Sequence, residues 1–208
     1  MKKIIFLTLA ITLMVYNIKA QENNRDFRNK LQVGMKIGFN YSNVYDTQGE
    51  AFNTDPKFGL VAGGFLSIPI GKYLGFQPEI LFSQKGFHAT GRVLTIPYEL
   101  TRTTNFIDVP LLFQLKPARF LTLVAGPQFS FLLKQKDVFA NSTQEEEFKN
   151  DNIRKNILCF LGGADLNLNH VVLGARVGWD IQNNNGDGTS TTPRYKNVWY
   201  QATIGFKF

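Results

Sequence analysis

The sequence holds one cysteine, Cys159, and two histidines, His88 and His170, in 208 residues. A lone thiol excludes an internal disulfide framework and any cysteine-based zinc cluster, and two imidazoles leave little for a histidine metal site. Charged residues are scarce at 19%, while aromatics reach 13%. Nineteen Phe and 18 Gly are too apolar and aromatic a composition for a disordered chain. Mean hydropathy is −0.13, too low for a bundle of spanning helices. Beyond the N-terminus the longest uncharged stretches, Phe58–Gly71 and Phe120–Leu133, have 14 residues each, short of the ~20 that a spanning helix needs. The length allows one domain or two small ones.

The first residues read as an address. Lys2 and Lys3 precede an apolar run from Ile4 to Val15 broken only by Thr8 and Thr12, and Ile18-Lys19-Ala20 places a small residue before a cut. This is secretory signal-peptide grammar. A membrane anchor is the rival reading, but Ile4–Ile18 gives only 15 uncharged residues. The expected division is a signal peptide over 1–20, a periplasmic tail over 21–30 and one barrel domain over 31–208. Cys159 is too far from the cut for a lipoprotein signal. Three of the 23 basic residues lie in this segment and none of the 16 acidic ones does, so the excess falls from +7 to about +4. That is no nucleic-acid footprint.

What the rest of the chain has is period 2, the mark of strands with unlike faces. Eight segments show it: 33–42, 58–68, 74–83, 107–115, 121–133, 158–167, 171–180 and 198–208. In the first, Val33, Met35, Ile37, Phe39 and Tyr41 oppose Gly34, Lys36, Gly38, Asn40 and Ser42. In the last, Val198, Tyr200, Ala202, Ile204, Phe206 and Phe208 oppose Trp199, Gln201, Thr203, Gly205 and Lys207. One face is free of charge in all eight. The other is small or polar and carries Lys36, Glu79, Asp108, Asp165, Arg176, Asp180 and Lys207. About ten residues is the length of a tilted membrane-crossing strand. An even number of strands closing on itself leaves no edge, which lipid demands.

The connections alternate in length. Short turns fall near Gly71-Lys72, Lys116–Arg119 and Asn167–His170. Long polar segments fall at Asn43–Asp55, Lys85–Asn105, Gln135–Arg154 and Gln182–Lys196. Short periplasmic turns and long outer loops are the asymmetry of an outer-membrane barrel. The fold predicted is an all-β, eight-stranded antiparallel up-and-down barrel. Pro78, Pro110 and Pro127 sit inside these strands and each removes a ladder donor, so local bulges are expected there.

At this point the sequence resembles a family. Asn105-Phe106-Ile107-Asp108-Val109-Pro110-Leu111-Leu112 is similar to the aromatic-x-x-Ile-Pro-Leu-Leu strand of PorT-like outer-membrane β-barrel proteins, a porin-family group in the class of small OmpA- and OmpX-like barrels. Gly126–Leu133 resembles the strand that follows it, and Phe76–Gly86 its Pro-Glu-Leu-x-Tyr-x-x-Lys-Gly strand. Phe206 and the terminal Phe208 resemble a barrel-assembly signal. The resemblance covers most of the chain after residue 20. It implies a Gram-negative outer membrane, with lipid, lipopolysaccharide and the barrel-assembly machinery as partners. Some members are implicated in protein secretion, though no motif here carries that role over.

Lys36, Glu79, Asp108, Asp165 and Arg176 all point inward by parity. Charges inside such a barrel must be paired or wet. They make either a narrow conduit or a salt-bridged plug, and an eight-stranded interior has room only for side chains. The plug is the favoured reading. Arg176 is expected to bond at least one of Glu79, Asp108 and Asp165, with Lys36 serving the remainder. For hydrolytic chemistry a nucleophile, base and orienting acid must meet, and His88 and His170 belong to opposite ends. Asn183–Gly188 has the flavour of a calcium loop but lacks its spaced acids and closing Glu. Glu145-Glu146-Glu147 reads as a solvated acidic run, Asn141-Ser142-Thr143 as a glycosylation pattern with little meaning in a bacterium, and Cys159 as an inert small side chain. The expected protein is a monomeric, non-enzymatic barrel without cofactor or metal, presenting loops for binding, adhesion or envelope integrity. The alternatives are an accessory barrel of a secretion machine, with that machine or an extracellular ligand as partner, and a lipid-modifying enzyme.

Overall fold

The computed structural model describes residues 26, 28–48, 53–93, 96–139, 142–146, 154–184 and 194–208. The expected signal segment, Glu147 of the acidic run and residues 185–193 of the Asn-Gly stretch lie outside these. Nine strands are described: β1 (Gln32–Gln48), β2 (Asn53–Pro69), β3 (Leu74–Val93), β4 (Ile96–Leu115), β5 (Leu121–Phe139), β6 (Ser142–Glu146), β7 (Asn156–Leu168), β8 (Val171–Asp180) and β9 (Arg194–Lys207). All pairings are antiparallel between chain neighbours, except that β1 pairs with β9 and β5 with both β6 and β7. β7 lies along Leu121–Phe131 of β5, and the short β6 takes the same edge along Gln135–Phe139. The sheet thus closes into a barrel of eight positions, with β1–β9 as its seam.

The alternation read from the sequence is the in–out alternation of this barrel. Met35, Ile80, Phe113 and Tyr200 are 63–65% exposed on the outside. Their neighbours Lys36, Leu81, Leu112, Trp199 and Gln201 are buried inside. An apolar belt of this extent on all eight positions is intelligible only against lipid. Among the described residues no helix is long and apolar enough to cross a membrane. The crossing is made by strands.

Two expectations need correction. First, the strands run further than the alternation showed. β3 and β4 have 20 residues each and pair from Leu74↔Leu115 up to Val93↔Ile96. The expected long loop Lys85–Asn105 is therefore almost wholly a paired hairpin, and parts of Asn43–Asp55, Gln135–Arg154 and Gln182–Lys196 are strand as well. At ~3.3 Å per residue twenty residues reach roughly twice as far as a bilayer core requires. Above the lipid the outward row turns polar, as in His88, Thr101 and Thr103, so contrast between the faces disappears while the ladder continues.

Second, the prolines make no bulges. Phe65↔Glu79 and Ile68↔Phe76 flank Pro78 in one register, and the ladder only skips the intervening pairs. Pro110 and Pro127 each sit in a similar gap on one side and stay paired on the other. Each strand residue turns its N–H to one neighbour, so a proline costs one bond on one side without an extra residue. The register shifts fall instead at Pro56/Val61, Asn105/Phe106 and Tyr45/Gln48, at and above the upper edge of the belt. The two-residue turn Asn169-His170 joins Leu168↔Val171, and Asn169 takes φ 56° there, a left-handed conformation that Asn tolerates.

Candidate functional site: the filled lumen

The inward side chains form tiers. In the tier nearer the short turns Glu79 is the hub. Its Oε1 accepts from Lys36 Nζ at 2.7 Å and from Gln77 Nε2 at 2.6 Å. Arg176 Nη1 donates to both Glu79 oxygens at 2.9 Å, and Arg176 Nη2 donates to Asp165 Oδ2 at 3.1 Å. Gln114 Nε2 donates to Gln77 Oε1, and Ser67 hydroxyl donates to Gln114 Oε1 at 2.9 Å. Lys36 Nζ also lies 4.9 Å from the centroid of the Phe65 ring. The side chains of Glu79 and Arg176 are fully buried. Strands β1, β3 and β8 are thereby tied across the lumen, which is how a charge in low dielectric is made tolerable.

A rung of Asn40, Ser83 and Gln201 follows. Asn40 Nδ2 donates to Ser83 Oγ at 3.0 Å, and Gln201 Nε2 donates to Asn40 Oδ1 at 3.1 Å. An apolar cluster inside the barrel includes Leu112, Val124, Leu161, Phe106 and Trp199. In the next tier Lys85 Nζ lies 3.1 Å from Asp108 Oδ2 and 3.8 Å from the Trp199 ring centroid. Lys85 Nζ also donates to Ser130 Oγ at 3.3 Å. Beside it the Cys159 thiol donates to Asp180 Oδ1 at 3.1 Å, and Asn197 backbone N–H donates to Asp180 Oδ2 at 2.9 Å. Near the outer mouth Arg102 makes a two-pronged pair with Asp137, at 2.8 and 2.5 Å, and Arg102 Nη1 donates to Tyr195 hydroxyl at 3.1 Å. Tyr195 packs edge-on to Phe87 at 5.3 Å between ring centroids.

The structure thus brings together Lys36, Glu79, Asp165 and Arg176. Asp108 stands apart from them and pairs with Lys85, so Lys36 does not serve it. Asp180 and Lys207, also inward by parity, take Cys159 with Asn197 and the Asn167 side chain as partners. Sequence reasoning missed Lys85, Arg102 and Asp137, all assigned to loops. Phe206 and Phe208 are outside, exposed and 5.4 Å apart between ring centroids. The Phe208 backbone N–H still donates to Val33 O at 2.9 Å across the seam.

His88 belongs to β3 and not to a loop, exposed with Nδ1 2.8 Å from Thr101 Oγ1. His170 is at the other end against Lys207 O. Among the described residues no group of three or more His, Cys, Asp or Glu side chains is placed to hold a metal ion.

An outer membrane protein β-barrel domain is matched over residues 19–206. The chain belongs to that family. It is an outer-membrane protein, and its strands are the membrane-crossing elements of a closed eight-position barrel. Among solved structures it is similar to the attachment invasion locus protein Ail of Yersinia pestis, with 12% identity over 85% of this chain and 98% of that one and a TM-score of 0.50. It is also similar to Neisserial surface protein A, at 11% identity over 86% and 97% with a TM-score of 0.42. OprG of Pseudomonas aeruginosa stands at 12% identity over 85% and 95%, with a TM-score of 0.41. At such identities the likeness is one of fold. No curated protein matches the sequence.

Proposed function

We propose that this outer-membrane barrel is a sealed, non-enzymatic platform of PorT-like kind, holding its extended strand ends outside the cell for binding, adhesion or envelope integrity. The observation that carries this reading is the Lys36–Glu79–Arg176–Asp165 network, which spans the lumen from three sides with its charges paired and buried. An open conduit needs polar groups turned to water, and these are turned to one another. The partners proposed are outer-membrane lipid and lipopolysaccharide around the belt and the barrel-assembly machinery at Phe206 and Phe208, with the barrel acting as a monomer. Catalysis by a histidine base is disfavoured by the placement of the two imidazoles at opposite ends.

The test has two arms. The purified barrel in a planar bilayer is expected to show no steady conductance, and stepwise openings overturn the seal. A deletion strain, compared for surface lipids, secreted proteins and adhesion together, is expected to lose adhesion or envelope resistance. Loss of a lipid modification makes it an enzyme instead, and loss of secreted proteins makes it a secretion component.

A further inference from the structure

We propose that the short-turn end of the barrel binds the phosphate headgroups of anionic phospholipid in the leaflet it faces, through Lys72 and Arg119 beside the Asp26–Arg28 clasp. The described residues at this end carry five cationic side chains, Arg28, Lys30, Lys72, Lys116 and Arg119, against the side-chain carboxylate of Asp26, while Lys207 is turned inward to Asn167. Asp26 is the centre of the group. It accepts from Arg28 Nε at 2.9 Å and Nη2 at 2.7 Å, and Arg119 Nε lies 3.9 Å from it. Lys116 Nζ donates to Arg28 O at 3.2 Å. One carboxylate thus gathers two guanidinium groups, and an ammonium joins through the backbone. The charge left over is positive.

The surroundings select a lipid as the anion's source. Tyr73 is exposed in the β2–β3 turn with the Arg28 guanidinium 5.6 Å and Lys72 Nζ 5.8 Å from its ring centroid. Directly next to it the exposed apolar belt begins, with Leu31, Ile70, Leu74, Phe120 and Phe208. An aromatic ring with cations at the edge of a belt sits at the depth of lipid headgroups. The other end is different in kind. There Lys196 pairs with Asp46 at 2.7 Å and Arg102 with Asp137, and Asp55 of β2 and Glu99 of β4 stand exposed. Cations near an anionic surface gain affinity roughly five-fold each. The end with fewer carboxylates for its cations gains more of it.

The experiment reconstitutes the full chain in phosphatidylcholine vesicles with and without phosphatidylglycerol. Phosphatidylglycerol retained per barrel after extraction is measured by lipid mass spectrometry. The native chain is expected to be enriched in phosphatidylglycerol. K72Q/R119Q is expected to lose about thirty-fold in relative affinity, two cations' worth, and K134Q/K136Q at the far end to retain it. Heat-modifiable migration on gels shows that each variant is folded, and K72Q alone, in an exposed turn, gives the single-site measurement. Equal enrichment in the native chain and K72Q/R119Q overturns the proposal. So does displacement of the lipid by matched inorganic phosphate, which makes the site one for free anions. Unchanged lipid with lost binding to peptidoglycan sacculi also overturns it, in favour of an acidic polymer. The sealed lumen is read by conductance, so the two proposals fail separately.

Discussion

Replacing Arg176 by Met removes the one guanidinium that joins Glu79 to Asp165. The consequences for the two acids are unequal. Glu79 keeps Lys36 Nζ at 2.7 Å and Gln77 Nε2 at 2.6 Å. Asp165, with its side chain only 6% exposed, loses the cation that bonds it. Removing one partner of a buried pair costs about 3–5 kcal/mol, because the other charge stays buried without compensation. The R176M barrel should therefore unfold at lower urea, by about that free energy, when the heat-modifiable fraction in lipid vesicles is followed from both the folded and the unfolded side. The larger share of the loss is assigned to Asp165. D165N in the R176M background should then recover more than half of it, and E79Q in the same background clearly less, a difference that a double-mutant cycle isolates. A change below about 0.5 kcal/mol for R176M, the size of an ordinary surface substitution, refutes the view that the network is buried and paired. Greater recovery from E79Q than from D165N refutes the division of charge between the acids.

The remaining predictions concern the seam, the outer tier, the end signal and the clasp. A Cβ on Gly38 would meet Ala202 O at 1.9 Å and Thr203 Cα at 2.7 Å, whereas one on Gly64 meets only Gly34 O at 3.6 Å. G38A should reduce the heat-modifiable fraction sharply and G64A should not. K85M leaves Asp108 buried without its cation and should destabilise by about 3–5 kcal/mol, with D108N restoring most of it in urea unfolding. Deleting Phe208 removes an exposed aromatic and its backbone bond to Val33, and should lower the folded fraction recovered from outer membranes. The Arg28 side chain, bonded to Asp26, holds that carboxyl at about 2, below the ordinary 3.8. A lowered folded value means that the clasp stabilises above pH ~4 and loses this as pH falls toward 2. D26N should abolish that acid-sensitive step in the protease susceptibility of the N-terminal segment.

The barrel was legible in the sequence because lipid imposes two demands at once. Every outward position must be apolar and every inward one small or polar, so the period-2 contrast is stark for as long as the strand is in the membrane. Val33 to Tyr41 shows it without a break. Above the membrane only one demand remains, the filling of the lumen. Lys85, Phe87 and Ala89 continue the inward row of Leu81 and Ser83, while the outward row passes from Phe82 to Gln84 and His88. A reader of the sequence sees mixed polarity and ends the strand at Ser83, two residues short of the cation that binds Asp108. Arg102 and Asp137 were hidden for the same reason, on the upper parts of β4 and β5.

The lumen network was legible in part. Parity placed Lys36, Glu79, Asp108, Asp165 and Arg176 on the inside, and parity survives the three prolines because each removes a bond without adding a residue. Parity says nothing of height along the barrel, which depends on the stagger between strands. Lys36 pairs across the ladder with Gly63, Gly63 with Leu81 and Leu81 with Asp108, so Lys36 and Asp108 share one row, which the tilt of the strands carries to different heights. On β3 Glu79 stands two positions to one side of that row and meets Lys36, whereas Lys85 stands four positions to the other side and meets Asp108. Charge pairing inside a barrel is therefore decided by register and strand tilt together. The register in turn is held by residues with no charge: the glycines Gly38 and Gly63, where a facing carbonyl lies within 2.0 Å of any added Cβ. Those glycines let β9 and β3 come close enough on either side of β1 and β2 for Glu79 to meet two cations at once.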